Sequence, residues 1–324
     1  MTKMKKLLAG VFCLAALCFA LTGCSSSAPA AEEEKLPEAE EPTVEIQKET
    51  EPFYVLVVGN DSRTGTVDIS KQMFADGLGR SDTMMLVRVD PVTYDICIIT
   101  IPRDTAADVN GQTQKINDAY RQGGISALAD QVTQLTGVTP KYYLDLGFVT
   151  FEDFIDACGG VDVNVPVAVT LQDIVAGGDQ ITVGTGEQTL DGVQALVFTR
   201  ARHEYGDNVD ACRQIQDRQV VESLINKVLS DTGNTSTYTK ALSEFADTDW
   251  DGASMAALVE DFVAHSDQVV IRSGTGPYAG DIDPAVDMWL AYRDEATWAS
   301  VIEVAENGGD LNAVVPLPEV YPAA

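Results

Sequence analysis

Cysteine, histidine and positive charge are all scarce in this 324-residue chain. Of its six cysteines, Cys13, Cys18 and Cys24 lie at the extreme N-terminus. That leaves Cys97, Cys158 and Cys212, so at most one internal disulfide can form and a disulfide scaffold is excluded. There is no CxxC and no Cys/His group with zinc spacing. Cys97, inside the run Ile96-Cys97-Ile98-Ile99, reads as a buried apolar residue. The sequence has no GxSxG elbow, no HExxH and no Walker A element, so serine hydrolase, zincin and P-loop readings lack support. Gly274-Thr275-Gly276, with Gly280 nearby, lacks the glycine spacing and βαβ context of a dinucleotide site. Lys and Arg total 21 against 50 Asp and Glu, a formal net charge of −29. A chain this acidic argues against nucleic acid as a partner. It is also repelled by an anionic membrane surface unless something anchors it.

The N-terminus supplies a candidate anchor. Lys3, Lys5 and Lys6 precede an apolar stretch from Leu7 to Leu21, the layout of a secretory signal. Leu21-Thr22-Gly23-Cys24 resembles a bacterial lipobox, which makes residues 1–23 a lipoprotein signal peptide and Cys24 the lipidated mature N-terminus. The alternative is an uncleaved signal anchor, since the stretch is just long enough to be considered as a span. Both readings place the rest of the chain outside the cytoplasmic membrane and tethered to it. Loss of the three signal lysines would take the net charge from −29 to −32. Residues 24–52 read as a disordered acidic linker: nine Glu and two Lys between Glu32 and Glu51 give a local charge of −7, with few large apolar residues to bury.

From Phe53 onward the apolar content suffices for a sizeable core. Phe53–Gly59 is a continuous apolar run, as in a fully buried strand. Thr83–Asp90 and Tyr94–Ile101 read as an antiparallel hairpin around Asp90-Pro91-Val92-Thr93, with Pro where a type I turn favours it. A polar loop is expected from Pro102 to about Gly111. Helices are expected at Ile125–Leu135, Thr150–Cys158, Leu190–Thr199, Arg213–Leu229, Ser254–His265 and Pro284–Asn307, and strands at Lys141–Leu146, Val161–Val169 (interrupted by Pro166) and Val269–Arg272. The pattern implies a single α/β domain over 53–310, with a mixed central sheet flanked by helices on both faces, and a Pro-rich tail over 311–324.

The placement of the cations is the most informative feature. Arg63, Arg80, Arg103, Lys115, Arg200, Arg202, Arg213 and Arg218 fall in compact polar motifs that follow strands or open helices. Loops at strand ends are where α/β folds put their ligands. For any one arginine, pairing with a surface Asp is the simpler reading. Arg63, Arg80 and Arg103 together, each beside an Asp in a strand-end loop, point to a site for a multiply charged anion, because guanidinium matches phosphate oxygens bidentately. Asp61, Asp82 and Asp104 share those loops. Carboxylates beside phosphate-binding arginines suit Mg²⁺, which takes one or two carboxylates plus phosphate oxygens. A general base toward a hydroxyl and a plain salt bridge are the alternatives. His203 adjoins Arg202 in what reads as a solvated loop, and His265 ends a helix, where it complements the helix dipole.

Taken in order, the motifs GNDSR, GRSDTMMLVRVDP, ITIPRD, QKINDAY, YYLDLGF, FIDACGGVDVNVP and LDGVQALVFTRAR resemble the LytR-CpsA-Psr family from about Phe53 to Leu229, and more weakly to about Asp310. The resemblance implies an α/β domain with a hydrophobic tunnel for a polyprenyl chain and a pyrophosphate site with Mg²⁺ at its mouth. It implies transfer of a glycopolymer from a polyprenyl-pyrophosphate carrier to peptidoglycan, on the extracytoplasmic face of a Gram-positive-type envelope. Carried over by motif, Asp61 and Asp82 hold the metal. Asp82 or Asp104 activates the acceptor hydroxyl, with Arg103 in the reacting site. Arg63, Arg80, Arg103, Lys115, Arg200, Arg202, Arg213 and Arg218 are the candidate pyrophosphate ligands. Two departures stand out. Thr64–Leu78 is a longer insertion than the family has. The family's Arg-x-x-Arg-Gln-Gln helix start reads Arg213-Gln214-Ile215-Gln216-Asp217-Arg218 here, so only Arg213 matches securely. Lipid-pyrophosphate hydrolysis at the same site, and non-catalytic binding of polyprenyl phosphate or wall polymer, stay open beside the transferase.

Overall fold

Strands β1 (Phe53–Asn60), β2 (Ser81–Asp90) and β3 (Asp95–Thr100) form an antiparallel meander. The computed structural model describes residues 48–62, 79–207 and 209–323, so Arg63, Cys24 and the Thr64–Leu78 insertion lie outside the described residues. The β2–β3 turn forms where Pro91 predicts it: Asp90 Oδ1 accepts from the Val92 and Thr93 amides at 2.9 and 3.1 Å. The expected loop after Pro102 contains a small hairpin, β4 (Ala106–Val109) and β5 (Gln112–Lys115). Helix α1 (Asn117–Thr136) is kinked where Gly124 takes a φ of 67°, a region that a side chain disfavours. The expected Ile125–Leu135 helix is the part beyond the kink. Strand β6 (Tyr142–Leu146) and helix α2 (Phe148–Ala157) follow.

Pro166 splits the next expected strand in two, as a residue without an amide donor should. The pieces belong to β7 (Val161–Val165) and β8 (Val169–Gln172), which pair with β10 (Gly186–Leu190) and β9 (Gln180–Val183) respectively. Helix α3 (Gly192–Arg200) starts after Leu190 because Asp191 caps it, accepting from the Gln194 amide at 2.9 Å. Helix α4 (Val209–Ser230) begins one turn before Arg213. Then come α5 (Thr235–Phe245), β11 (Asp247–Thr248), α6 (Gly252–Ala264) and β12 (Val270–Thr275). The helix expected over Pro284–Asn307 is overturned in its first half. Strands β13 (Gly280–Asp283) and β14 (Met288–Ala291) form a hairpin, and α7 (Glu295–Glu306) starts only where Asp294 caps it.

The main sheet runs β11-β6-β1-β2-β3-β12, with β1/β6 and β3/β12 parallel and the other neighbours antiparallel. This is the mixed, helix-flanked α/β sheet that the sequence predicts. Period-2 alternation sends Leu56, Val58, Leu86 and Ile99 to one face, against α1 and α7. Val55, Met85, Val87 and Ile98 face the other way, toward α4, α5 and α6. Helices α2 and α3 enclose a further apolar cluster with β7–β10. Beyond Asp310 the chain stays on the body: Leu311 is buried against Gly274, and the Gly206 amide donates to Tyr321 O at 2.8 Å.

Candidate active site

A break in strand register places the first candidate carboxylate. Gly59 pairs with Thr83 and Asn60 with Ser81, so Asp82 is the extra residue of a β-bulge. Bulges re-aim side chains at the ends of strands. Arg103, from the loop after β3, donates from Nη1 to Asp82 Oδ1 at 2.6 Å. Its Nε lies 3.1 Å from Asp210 Oδ1, near enough for an ion pair but off the hydrogen-bond direction. Arg213, in the first turns of α4, ties the same parts together. Nη2 donates to the Asp82 carbonyl at 2.7 Å and to Asp210 at 3.1 Å, and Nη1 donates to Thr83 Oγ1 at 3.0 Å and to Asp217 Oδ2 at 2.6 Å.

Burial works against every charge in this network. It pulls Arg213 and Arg103 down, but their carboxylate partners, Asp210 foremost, hold both above the ordinary guanidinium value. Burial pushes Asp210 up, and Arg213 with Arg103 reverses this, so it stays below the usual carboxylate range. Asp217 is enclosed more deeply, and there burial prevails over Arg213, lifting the carboxyl to about 6. The network sets two cations, Arg103 and Arg213, against three carboxylates, Asp82, Asp210 and Asp217.

A second set of bonds fixes the loop after β1. Asp145 on β6 accepts from Asn60 Nδ2 at 2.7 Å and from Tyr120 OH at 2.5 Å. Asn60 Oδ1 accepts in turn from the Ser62 amide at 2.9 Å. Asp61 is clamped to the strand opposite: its amide donates to Arg80 O at 3.0 Å, and Oδ1 accepts from the Arg80 amide at 2.5 Å. Only glycine fits at position 79, since a Cβ there would sit 2.4 Å from Asp61 Oδ1. Sequence reasoning missed Asn60, Thr83, Asp118, Tyr120, Asp145 and Asp210. All but Asp210 lie inside the quoted motifs. Asp210 carries its own signal, the i,i+3 spacing to Arg213.

Asp61, Asp82, Arg103, Arg200, Arg202 and Arg213 all line one cavity of about 640 Å³. The cavity continues along β1 from polar Asp61 and Asn60 to apolar Val57 and Val55. It runs between that face of the sheet and Phe151, Val221, Leu224, Leu242 and Phe262 of the covering helices. His203 is exposed and also lines it, and Arg200 lies 5.3 Å from the Phe148 ring centre. Four other candidates stand off the cavity wall. Arg80 pairs with Asp118 at 3.0 Å, and Lys115 pairs with Asp104 at 2.7 Å. Arg218 is a correction: it is 2% exposed, donates to Thr100 Oγ1 at 2.8 Å, and its Nη2 has no hydrogen-bond partner. Burial lowers its guanidinium to about 10, as expected for a cation enclosed in the body. Among the described residues no group of three or more acidic, His or Cys side chains could hold a metal by itself. Asp61 and Asp82 at one cavity end fit an ion that also takes phosphate oxygens and water.

The model of the LytR_cpsA_psr family matches residues 18–298. The chain belongs to the LytR-CpsA-Psr family. Within it, the Bacillus licheniformis polyisoprenyl-teichoic acid–peptidoglycan teichoic acid transferase TagU is 35% identical over 179 residues, 55% of this chain and 52% of that protein. The Enterococcus faecalis TagU is 34% identical over 199 residues, 61% of this chain and 60% of that protein. The chain thus spans little more than half the length of these relatives. The crystal structure of Bacillus subtilis TagV superposes with a TM-score of 0.65 at 24% identity, covering 84% of this chain and all of that one, and so shares the fold.

Proposed function

We propose that this family member is a phosphotransferase that moves a phosphate-linked glycopolymer from a polyprenyl-pyrophosphate carrier to a peptidoglycan hydroxyl. One observation carries the reading: an arginine- and aspartate-lined polar end and a long apolar bore belong to a single cavity. A ligand that fills both has an anionic head and a hydrocarbon tail. The TagU names of the curated relatives describe that class of substrate.

Arg103 and Arg213 are held in place by Asp210 before any substrate arrives, so their charge is preorganised for a pyrophosphate. Arg200 and Arg202 extend the same wall. Asp61 would hold Mg²⁺ and Asp82 would orient it, and the ion when bound would neutralise phosphate charge. Asp104 is engaged by Lys115 away from the cavity, so Asp82 is the better placed base. The acceptor oxygen attacks the phosphorus that carries the glycopolymer, and its proton goes to Asp82. The bond to the bridging pyrophosphate oxygen breaks, and polyprenyl monophosphate leaves in the apolar bore. We place the protein on the extracytoplasmic face of the membrane, anchored through lipid on Cys24.

The test is Mg²⁺-dependent turnover of a synthetic polyprenyl-pyrophosphate saccharide by the full chain, with and without peptidoglycan. Acceptor-dependent turnover that falls about 100-fold or more in Arg103→Ala and Asp82→Asn supports the transferase. Release without acceptor makes the protein a hydrolase. Tight lipid binding with no turnover makes it a binding protein.

A further inference from the structure

Arg202 differs from the other arginines of the cavity in how it is held. Arg103 and Arg213 are tied to carboxylates, and Arg200 lies against Phe148 and reaches Gln172 O at 3.5 Å. Arg202 lines the same cavity, but among the described residues its guanidinium has neither an ion pair nor a hydrogen bond. Its place is therefore set by its backbone. That backbone belongs to the connection that follows α3, residues 201–207. Within the connection the Tyr205 amide donates to Arg202 O at 3.3 Å, and the Arg202 amide donates to Glu204 Oε2 at 3.0 Å.

A segment distant in sequence completes the support. Tyr205 faces Pro322 as an antiparallel bridge. On either side of it the Gly206 amide donates to Tyr321 O and the Ala323 amide donates to Glu204 O, both at 2.8 Å. A pair flanked in this way makes no ladder bond of its own, so the amide that Pro322 lacks is not needed. The Tyr321 hydroxyl accepts from the Asp207 amide at 3.1 Å. Its ring lies over Gly206, where a Cβ would come 1.9 Å from Cε2, so the close approach requires glycine. Val320 packs against the apolar cluster that holds Tyr205, and upstream the Tyr278 hydroxyl donates to Pro316 O at 2.9 Å. Among the described residues, none of 315–323 lines the cavity. Whatever they do for a ligand there, they do through residues 204–207. Ordering a free loop costs conformational entropy, and a ligand that must supply the order binds more weakly.

We propose that residues 319–323 are a strap that holds Arg202 toward the anionic head of the donor, with Tyr321 as the positioning residue. The assignment rests on the phosphotransferase reading for the identity of that head, a pyrophosphate. It makes the strap a source of selectivity for charged over uncharged polyprenyl lipid, because the bore takes the hydrocarbon of both and Arg202 meets only the phosphate.

The test is titration of the full-length protein with a detergent-solubilised polyprenyl pyrophosphate and with the uncharged polyprenol of the same length. Two variants loosen the strap from opposite sides of the bridge. Tyr321→Ala removes the ring and its hydroxyl, and Ala323→Pro removes the amide that reaches Glu204 O. Each is expected to bind the pyrophosphate roughly fivefold to tenfold more weakly, and to bind the polyprenol as the wild type does. Tyr321→Phe, which loses only the bond to Asp207, keeps most of the affinity. Arg202→Ala shows the same loss, and Tyr321→Ala adds nothing to it. In turnover the loss falls on the donor KM rather than on kcat. An equal loss for both lipids overturns the strap, since it marks a general loosening of the fold. So do unchanged pyrophosphate affinity in both variants and a Tyr321→Ala loss that adds fully to that of Arg202→Ala. A wild type that binds both lipids equally overturns the strap and the head-group site together. Strap-dependent pyrophosphate binding without turnover leaves the strap standing and sinks the transferase. Acceptor-dependent turnover with an unmoved donor KM does the reverse.

Discussion

Asp210 and Asp217 flank Arg213 on α4 and answer to opposite forces. Asp210 faces two guanidiniums and is kept ionised, and Asp217 has one close cation and is nearly out of reach of water. Burial lifts Asp217 from the usual value near 3.9 to about 6. A group raised in this way contributes stability that is complete below about pH 4 and is lost as the pH climbs through about 6. Asp217→Asn keeps an oxygen for Arg213 and Thr83 without the charge. In urea unfolding at pH 4, 5, 6 and 7, its stability relative to the wild type should therefore rise with pH, by on the order of 2–3 kcal/mol. A difference that stays flat across that range means Asp217 is ionised throughout, Arg213 having overcome the burial.

Elements were legible in proportion to how much apolar surface each one commits. The hairpin β2–β3 and the buried strand β1 announce themselves, because long apolar runs and a Pro turn leave few alternatives. The pairs β4–β5, β8–β9 and β13–β14 do not. Their strands are four residues each, with Gln, Thr and Asp breaking up the apolar runs, and they gain stability from the body they are built onto. Helix α5 escaped notice for a related reason, since Ser236, Thr237 and Lys240 hide a buried stripe of Tyr238, Thr239 and Ala241. Within the site, the charged end could be read as motifs, whereas the bore could not. Its wall uses the same Val, Leu and Phe as the core, and only the gap between sheet and helices distinguishes them. Leu224 on α4 lies on that wall. Leu224→Trp should occlude the bore while sparing the arginines. The expected outcome is a rise of roughly tenfold in KM for a long polyprenyl donor, a loss of about 1.4 kcal/mol, and no change for a short prenyl donor with the same head group. Equal losses for both donors would show that the hydrocarbon lies elsewhere.

At the scale of the whole molecule, charge and anchorage oppose each other. The chain carries a net charge of −29, so a free molecule is repelled by an anionic bilayer while the arginines of its cavity would meet a pyrophosphate at that surface. A lipid on Cys24 would remove the conflict by holding the protein at the membrane whatever the field. The screening length falls from about 30 Å at 0.01 M salt to about 8 Å at 0.15 M, so the repulsion can be switched off independently of the anchor. Cys24→Ala should leave the membrane fraction. On a donor embedded in phosphatidylglycerol vesicles it should turn over slowly at 0.01 M salt and recover as salt approaches 0.15 M. On phosphatidylcholine vesicles no such recovery is expected, because there is no surface charge to screen. The lipidated wild type should vary little on either surface. Retention of Cys24→Ala in the membrane fraction would instead establish the apolar Leu7–Leu21 stretch as an uncleaved anchor.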